Sequence, residues 1–336
     1  MRAIRVHAPG GPEVLVLEDI PAPRPREGWV LIRVRAFGLN RSEMFTRQGH
    51  SPSVQFPRVL GIECVGTVEQ APGTDLVPGQ KVAALMGGMG RAHDGGYAEA
   101  ALIPRAHVLP VATDLPWEIL GALPETFLTA WGSLFEAIEL AAGDTLLVRG
   151  ATSSVGMAAL SLAKDAGARV VATTRDRGKA AALAAAGGDD VVIDGGAIAD
   201  DVRRIVPGGV DAVLELVGTV TLLDSLRAAA AGGVVCQTGI LGNAWRLDGF
   251  EPLEDIPSTV KLTTYSSSTA TAARSTAALQ AIADGVAAGR YAPHLDRVFR
   301  MDEIVEAHRT MEENRAQGKL VVLVDQNGQS GQSGQS

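Results

Sequence analysis

The sequence contains few cysteines, few aromatic residues and no excess of positive charge. Only two of its 336 residues are cysteines, Cys64 and Cys236, too few for a disulfide framework or a four-thiolate zinc site and typical of the reducing cytoplasm. Its 30 Lys and Arg against 38 Asp and Glu give a net charge of −8, without the broad basic surface that nucleic-acid binding requires. No apolar run reaches about 18 residues, and the N-terminal segment has no apolar core. We therefore expect a cytoplasmic protein that binds neither nucleic acid nor membrane.

The length of 336 residues is enough for about two domains. Residues 1–123 contain short apolar segments separated by turns that include Pro and Gly. Within residues 29–36, apolar side chains recur with a period of two, which is the pattern of a strand buried on one face. This region predicts a small antiparallel β-barrel.

Residues 124–269 change to an alternation of apolar strands and Ala-rich helices. The predicted strands are 144–148, 168–173, 190–193, 210–215 and 233–236, and helices are expected at 155–166, 179–186 and 222–231. Near-continuous apolar strands separated by helices are typical of an α/β protein with a parallel, doubly wound sheet. Residues 270–325 are expected to form helices at 276–288 and 302–313 and a closing strand at 319–324, and residues 326–336 read as a disordered Gly-Gln-Ser tail.

The turn after the first of these strands has the composition of a dinucleotide site. This cofactor turn consists of Gly150, Ala151, Thr152, Ser153, Ser154, Val155 and Gly156. Small residues let backbone N–H groups at the start of the next helix approach a pyrophosphate. The usual G-x-G-x-x-G pattern is not matched, but a buried strand precedes the turn and an Ala-rich helix follows it. The alternative is a Ser-rich helix cap in another kind of doubly wound protein.

About 20 residues further on, a site selective for NADH would have an acidic residue for the ribose 2′-hydroxyl. The corresponding cation loop, Thr174–Lys179, instead contains Arg175, Arg177 and Lys179. Guanidinium and ammonium groups suit a 2′-phosphate, so Thr174, Arg175 and Lys179 favour NADPH. The alternative is a solvated loop in which Asp176 accepts the ribose hydroxyl.

Several motifs recur in a fixed order along the chain. They are Gly38-Leu39-Asn40, Leu60–Gly66, Val77–Val82, Gly95–Glu99, Leu128–Trp131 and the cofactor turn. Together they resemble the zinc-free quinone oxidoreductase branch of the medium-chain dehydrogenase/reductase superfamily, which includes zeta-crystallin. The resemblance implies a GroES-like β-barrel domain at 1–123, completed by 270–325, and a Rossmann NADPH-binding domain at 124–269. It also implies a substrate cleft between the two domains and a homodimer.

The resemblance further implies that no catalytic zinc is bound. Asn40 and Ile62 stand where zinc-dependent members have Cys and His, and neither side chain can replace a thiolate or an imidazole. Without a Lewis acid, the hydride acceptor must stabilise its own charge, which favours a small electrophile such as a quinone or an α,β-unsaturated carbonyl. Asn40 is the best candidate to polarise the acceptor oxygen, and Arg47 and Ser42 are weaker candidates. The alternative is that Asn40 only caps a loop.

Further cofactor contacts follow from the resemblance by position. It assigns Thr129 to the nicotinamide, Gly239, Ile240 and Leu241 to its carboxamide, Val217 and Gly218 to the ribose, and Lys319 to a site close to the cofactor. For Ile240 and Leu241 the alternative is a packing role.

Three functions remain open at this point. The first is a zinc-independent NADPH:quinone or enone reductase, and the second is an enoyl-thioester reductase. Phe45 disfavours the second, because related enzymes often have an aromatic hydroxyl there and Phe cannot donate a proton. The third is a non-catalytic NADPH-binding structural or regulatory protein.

Overall fold

The computed structural model describes residues 1–324, so the predicted Gly-Gln-Ser tail lies outside the described residues. The chain forms two compact units. Among the described residues, the first contains 1–125, 270–280 and 295–324, and the second contains 126–269 and 281–294. Residues 281–294 therefore lie in the second unit and not, as expected, with the first. The boundary between residues 280 and 281 falls within one helix, Ala272–Ala287.

The elements are numbered in chain order. The strands are β1 (Arg2–Val6), β2 (Leu15–Asp19), β3 (Trp29–Gly38), β4 (Arg58–Val59), β5 (Glu63–Gln70), β6 (Lys81–Leu85), β7 (Ala100–Pro104), β8 (Val108–Pro110), β9 (Thr145–Arg149), β10 (Arg169–Thr174), β11 (Asp190–Ile193), β12 (Val210–Glu215), β13 (Ala229–Gln237), β14 (Lys261–Thr264), β15 (Leu295–Arg300) and β16 (Lys319–Leu323). The α-helices are α1 (Arg41–Arg47), α2 (Trp117–Leu120), α3 (Pro124–Trp131), α4 (Ser154–Asp165), α5 (Ala180–Ala185), α6 (Ala199–Ile205), α7 (Thr219–Ala228), α8 (Pro252–Asp255), α9 (Ala272–Ala287) and α10 (Ile304–Glu312).

The first unit is built on a sheet in the order β15-β16-β3-β5-β6-β8, in which β7 also pairs with β3, and on a small sheet in the order β2-β1-β4. The strand pairs of the larger sheet are antiparallel except for β15 and β16, which run parallel. Val30, Ile32 and Val34 are completely buried, as the alternation in β3 predicts. Their burial contributes to the hydrophobic stabilisation of this unit.

The second unit contains a six-stranded parallel sheet in the order β11-β10-β9-β12-β13-β14. This strand order confirms the predicted doubly wound architecture, and Leu147, Val171 and Val213 are completely buried in its central strands. One helix ends earlier than expected: α7 stops at Ala228, since Ala229 already pairs with Val210 as the start of β13. No α-helix within residues 1–324 has both the length and the apolar character needed to cross a lipid bilayer.

Candidate functional site

The carboxyl edge of the parallel sheet is the expected ligand-binding edge of the second unit. The chain runs from β9 outward to β11 and then returns to β12 on the other side of β9. In open parallel sheets, ligands bind outside the carboxyl ends of the strands where this reversal occurs. The loops that follow β9, β10, β12 and β13 therefore form the candidate cofactor site.

The cofactor turn has the close backbone packing that a dinucleotide site requires. Gly150 has φ of +84° and donates its N–H to Thr173 Oγ1 at 3.0 Å. A Cβ atom on Gly156 would lie 2.6 Å from the carbonyl oxygen of Ala151, so only glycine allows this approach. Ser153 caps α4, because its Oγ accepts the N–H of Gly156 at 3.1 Å. The first N–H groups of an α-helix have no carbonyl partner inside the helix, so those of Ser154 and Val155 at the start of α4 could bind an anion.

The cation loop follows β10 at the same edge. Its backbone is ordered by its own polar side chains: Thr174 Oγ1 donates to the carbonyl oxygen of Asp176, and Asp176 Oδ1 accepts the N–H of Gly178 at 2.8 Å. Arg175 is exposed and Lys179 is half-buried. Neither forms an ion pair with any residue in the part of the chain that the structure describes. The loop thus presents cations at the edge where the cofactor turn lies.

The loops after β12 and β13 pack against the cofactor turn. Leu241 donates its N–H to the carbonyl oxygen of Leu216 at 3.0 Å, and its Cδ1 would lie 3.1 Å from a Cβ atom on Gly150. Gly218 has φ of +103°, and Glu215 Oε1 accepts its N–H at 2.9 Å. The structure therefore brings the predicted residues of the cofactor turn together with Val217, Gly218, Gly239, Ile240 and Leu241.

Arg149 was not predicted from the sequence, although it is the last residue of β9 and directly precedes the cofactor turn. Its fully buried guanidinium forms ion pairs with Asp194 at 2.9 Å and with Asp224 at 2.7 Å. The backbone N–H of Asp194 in turn donates to the carbonyl oxygen of Thr174 at 2.8 Å. Arg149 therefore ties together the ends of β9, β10 and β11. An Arg at the end of an otherwise apolar strand is the signal that could have identified it.

A polar cluster lies in the first unit, and we call Asn40, Glu43, Glu63 and Lys319 the Asn40 cluster. Asn40 is half-buried and the other three side chains are buried. Lys319 Nζ donates to Glu63 Oε1 at 2.8 Å and to Asn40 Oδ1 at 2.6 Å, and Asn40 Nδ2 donates to Glu63 Oε1 at 2.9 Å. Gly38 makes room for this arrangement, since a Cβ atom there would lie 2.4 Å from Glu63 Oε1. A buried ion pair with additional hydrogen bonds satisfies charges that would otherwise be costly to bury.

Glu43 is the least satisfied member of the Asn40 cluster. Its Oε1 accepts the N–H of Ile62 at 2.9 Å, whereas its buried Oε2 has no hydrogen-bond partner among the described residues. Asn40 Nδ2 lies 3.5 Å from Glu43 Oε1, too far for a strong bond. Burial raises the pKa of Glu43 to about 7, and the nearby charge of Glu63 acts in the same direction. Glu43 therefore keeps its proton up to about neutral pH.

Two predicted site residues have different surroundings from those expected. Arg47 is fully buried, where it pairs with Glu312 and donates to the carbonyl oxygen of Gly10 at 2.9 Å. This placement corrects the prediction that Arg47 polarises the substrate, because its guanidinium is withdrawn into a structural ion pair. Lys319 is only 1% exposed and its ammonium bonds members of the Asn40 cluster, which does not support the predicted contact with a cofactor. Ser42, the other weak candidate, accepts a hydrogen bond from Arg91.

The Asn40 cluster does not have the donor set of a zinc site. Within residues 1–324, no three His, Cys, Asp or Glu side chains are grouped so that they could hold a metal ion. The ammonium of Lys319 on Asn40 Oδ1 would repel a cation, and Ile62 is a buried alkyl side chain. The residues at these positions therefore do not fit zinc.

Comparisons with known proteins agree with this architecture. Residues 26–113 match the family model of the alcohol dehydrogenase GroES-like domain, and residues 187–322 match that of a zinc-binding dehydrogenase. The quinone oxidoreductase of Mus musculus is 32% identical over 252 residues, which cover 72% of this chain and 74% of the relative. That of Lama guanicoe is 29% identical over 96% of this chain and 98% of the relative. This chain is also 29% identical, over 97% of its length, to 15% of a component of the phenolphthiocerol/phthiocerol polyketide synthase of Mycobacterium tuberculosis.

Two solved structures show the same fold but differ in their cofactors. A mycobacterial protein complexed with NADPH has a TM-score of 0.84 and 28% identity, over 96% of this chain and 99% of its own. An NAD-dependent alcohol dehydrogenase has a TM-score of 0.83 and 29% identity, over 97% of this chain and 100% of its own. The family models, the 32% identity to the mouse quinone oxidoreductase and the similarity to the Lama guanicoe enzyme over 96% of this chain lead to one conclusion. The chain belongs to the quinone oxidoreductase branch of the medium-chain dehydrogenase/reductase superfamily and is an oxidoreductase.

Proposed function

We propose that this protein is an NADPH-dependent oxidoreductase that delivers hydride to a quinone or to an α,β-unsaturated carbonyl without the help of a metal. The observation that carries the proposal is the carboxyl edge of the parallel sheet. There, the tightly packed cofactor turn and the unpaired cations of the cation loop follow neighbouring strands, β9 and β10.

The chain's residues fit NADPH at this edge. The N-terminus of α4, a helix of 12 residues, would hold the pyrophosphate, and Arg175 and Lys179 would hold the 2′-phosphate. Asp176 uses one carboxylate oxygen to order its own loop, which weakens the alternative that it selects the ribose hydroxyl of NADH. When bound, NADPH supplies a hydride from its nicotinamide ring. The similarity to the mycobacterial protein complexed with NADPH supports this choice.

The composition of the Asn40 cluster supports an acceptor that stabilises its own negative charge. No thiolate or imidazole of the described residues is placed there to hold a Lewis acid, so an ordinary ketone would receive little stabilisation of its alkoxide. A quinone or an enone delocalises that charge. We propose that Asn40 Nδ2 donates its second hydrogen to the acceptor oxygen in place of its long contact of 3.5 Å with Glu43 Oε1, since its first hydrogen goes to Glu63. The ammonium of Lys319 on Asn40 Oδ1 polarises the amide and strengthens this donor.

A second candidate function is reduction of enoyl thioesters. It is favoured by the similarity to a segment of a polyketide synthase over nearly the whole length of this chain. Phe45 argues against it, because a side chain without a hydroxyl cannot protonate the product carbon.

We also propose that the protein is a homodimer. Strand β14 is at the edge of the parallel sheet and pairs only with β13 among the described strands. Leu253, eight residues before β14 in the sequence, is 97% exposed, which is unusual for a large apolar side chain. Sedimentation velocity tests this proposal: a dimer supports it, and a monomer at micromolar concentration contradicts it.

The experiment that tests the proposed function compares NADPH oxidation with a panel of acceptors. The panel contains 1,4-benzoquinone, 9,10-phenanthrenequinone, an alkenal and an enoyl thioester. Faster turnover of the quinones or the alkenal supports the first function, and faster turnover of the thioester supports the second. Tight NADPH binding without reduction of any acceptor would instead favour a non-catalytic protein.

A further inference from the structure

A chain of hydroxyl groups connects helix α3 to the loop after β13 in the second unit. After Trp131, the helix continues as a π-helical turn, Gly132–Ala137, a rare conformation that is frequent at functional sites. Ser133 lies in this turn and is fully buried. Its Oγ is 2.7 Å from the carbonyl oxygen of Thr129 and 2.9 Å from Thr238 Oγ1.

The direction of these hydrogen bonds follows from the number of hydrogens available. A carbonyl oxygen can only accept, so the single hydroxyl hydrogen of Ser133 goes to Thr129. Thr238 must then donate to Ser133 Oγ, and the thiol of Cys236, whose Sγ is 3.5 Å away, donates to Thr238. The result is one directional chain that runs from β13 to the carbonyl of Thr129, with Ser133 and Cys236 fully buried and Thr238 half-buried.

Thr238 occupies the part of the sheet that faces the reactive end of a dinucleotide. In this class of fold, the first βαβ unit with its cation loop serves the adenosine half, which leaves the β12 and β13 half for the nicotinamide. The backbone N–H groups of Thr238 and Gly239 both donate to the carbonyl oxygen of Glu215, at 2.9 and 3.1 Å. The loop that starts at Thr238 is thus held to β12 by its backbone and to the π-helical turn by its side chain.

We propose that Ser133 and Thr238 are positioning residues for hydride transfer: their hydroxyl pair fixes the loop 239–241 against α3 and thereby sets the orientation of the nicotinamide. This inference rests on the proposed function. Hydride transfer depends steeply on the separation of the reacting atoms, whereas the affinity for NADPH comes mostly from its phosphates. Loss of the pair should therefore reduce kcat and leave cofactor affinity almost unchanged.

The test uses the near-isosteric variants Ser133→Ala and Thr238→Val, singly and together. We expect each single variant to lower kcat about fivefold, the effect of one neutral hydrogen bond, and to change the Kd for NADPH less than about twofold. The double variant should lose less than the product of the two single losses, because the Ser133–Thr238 bond, which both variants remove, is lost only once. The primary isotope effect with deuterated NADPH should rise as hydride transfer becomes slower.

Two matched controls separate positioning from general destabilisation. Thr238→Ser keeps the hydroxyl and should retain wild-type kcat. Ser161→Ala removes another serine hydroxyl from a helix of the same unit, one that bonds the carbonyl oxygen of Ala158 at 2.9 Å, and should leave kcat unchanged. Unchanged kcat in Ser133→Ala and Thr238→Val, or a double-variant loss equal to the product of the single losses, would overturn the proposal.

A second readout keeps this inference separate from the proposed function. The fluorescence of bound NADPH reports the surroundings of the nicotinamide without any turnover. If the wild-type protein binds NADPH but reduces no acceptor, the proposed function fails. The positioning role is then supported by an emission shift in both single variants and contradicted by spectra identical to the wild type. Absence of NADPH binding by the wild type would overturn both.

Discussion

The buried carboxyl of Glu43 should make the folded protein less stable as the pH rises through neutrality. Its pKa is raised by burial from 4.5 to about 7 in the folded state, so the folded protein keeps a proton that the unfolded chain has already released. Stability is therefore fully present below the unfolded pKa and is lost as the pH rises through the folded pKa. Glu43→Gln removes this titration, while the amide oxygen can still accept the N–H of Ile62.

The magnitude follows from the size of the shift. A difference of about 2.5 pKa units corresponds to about 3 kcal/mol of unfolding free energy, at about 1.36 kcal/mol for each unit. Most of this loss falls between about pH 5 and about pH 8, so the stability of Glu43→Gln relative to wild type should rise by about 2.5 kcal/mol over that range. At about pH 8 the variant should be the more stable protein, although it replaces a buried charge-bearing residue of the Asn40 cluster.

The assay is guanidinium unfolding at both pH values, followed by circular dichroism and by amide hydrogen exchange in β5 and β16. The exchange measurement is needed because a chain of two units can unfold in more than one step. Glu99→Gln is the matched control: Glu99 is a partly exposed carboxylate of the same unit, paired with Arg2, and its pKa is lowered. The control should show no pH dependence over this range. An equal stability difference between Glu43→Gln and wild type at both pH values would refute the reasoning.

Three further predictions concern other groups with defined surroundings. Burial lowers the pKa of His308 to about 3, so its contribution to the free energy of unfolding should be lost as the pH falls from 6.5 toward 3. His308→Gln can still bond Tyr97, and acid unfolding curves should show a smaller decrease in its free energy of unfolding over this pH range than in that of the wild type. Burial raises the pKa of Cys64 to about 12, so a thiol reagent should modify Cys64 only after the protein unfolds. Rapid modification of Cys64 in the native protein, detected by peptide mass spectrometry, would contradict its burial. Arg175→Ala should raise KM for NADPH about 10-fold or more and leave KM for NADH unchanged. The control Arg204→Ala, on α6, should change neither KM. Equal effects of Arg175→Ala on both cofactors would exclude recognition of the 2′-phosphate by Arg175.

The parallel sheet was predictable because each of its central strands is a short, continuous apolar segment followed by a helix. The end of α7 was not, since Ala229 continues an Ala-rich stretch that favours a helix on local propensity. Its pairing with Val210 in β12 decides its conformation, and this contact lies outside the local sequence. Tertiary pairing therefore ends the helix before the boundary that composition alone indicates.

The candidate site also has parts that local sequence predicts and parts that depend on tertiary contacts. The cofactor turn and the cation loop are continuous segments, so their residue types could be interpreted directly from the sequence. The Asn40 cluster joins Asn40 to Glu63, 23 residues away, and to Lys319, 279 residues away. No local pattern indicates that these three side chains meet. For the same reason, the sequence suggested catalytic work for Arg47, which the fold instead pairs with Glu312.

The most direct test of the central claim is steady-state oxidation of NADPH and NADH by chelator-treated protein with 9,10-phenanthrenequinone as acceptor. We expect turnover that survives removal of metal ions, with kcat/KM for NADPH at least about 10-fold above that for NADH, as expected for one charge-assisted phosphate contact. Activity that disappears with the chelator and returns with zinc, or a preference for NADH, would contradict it.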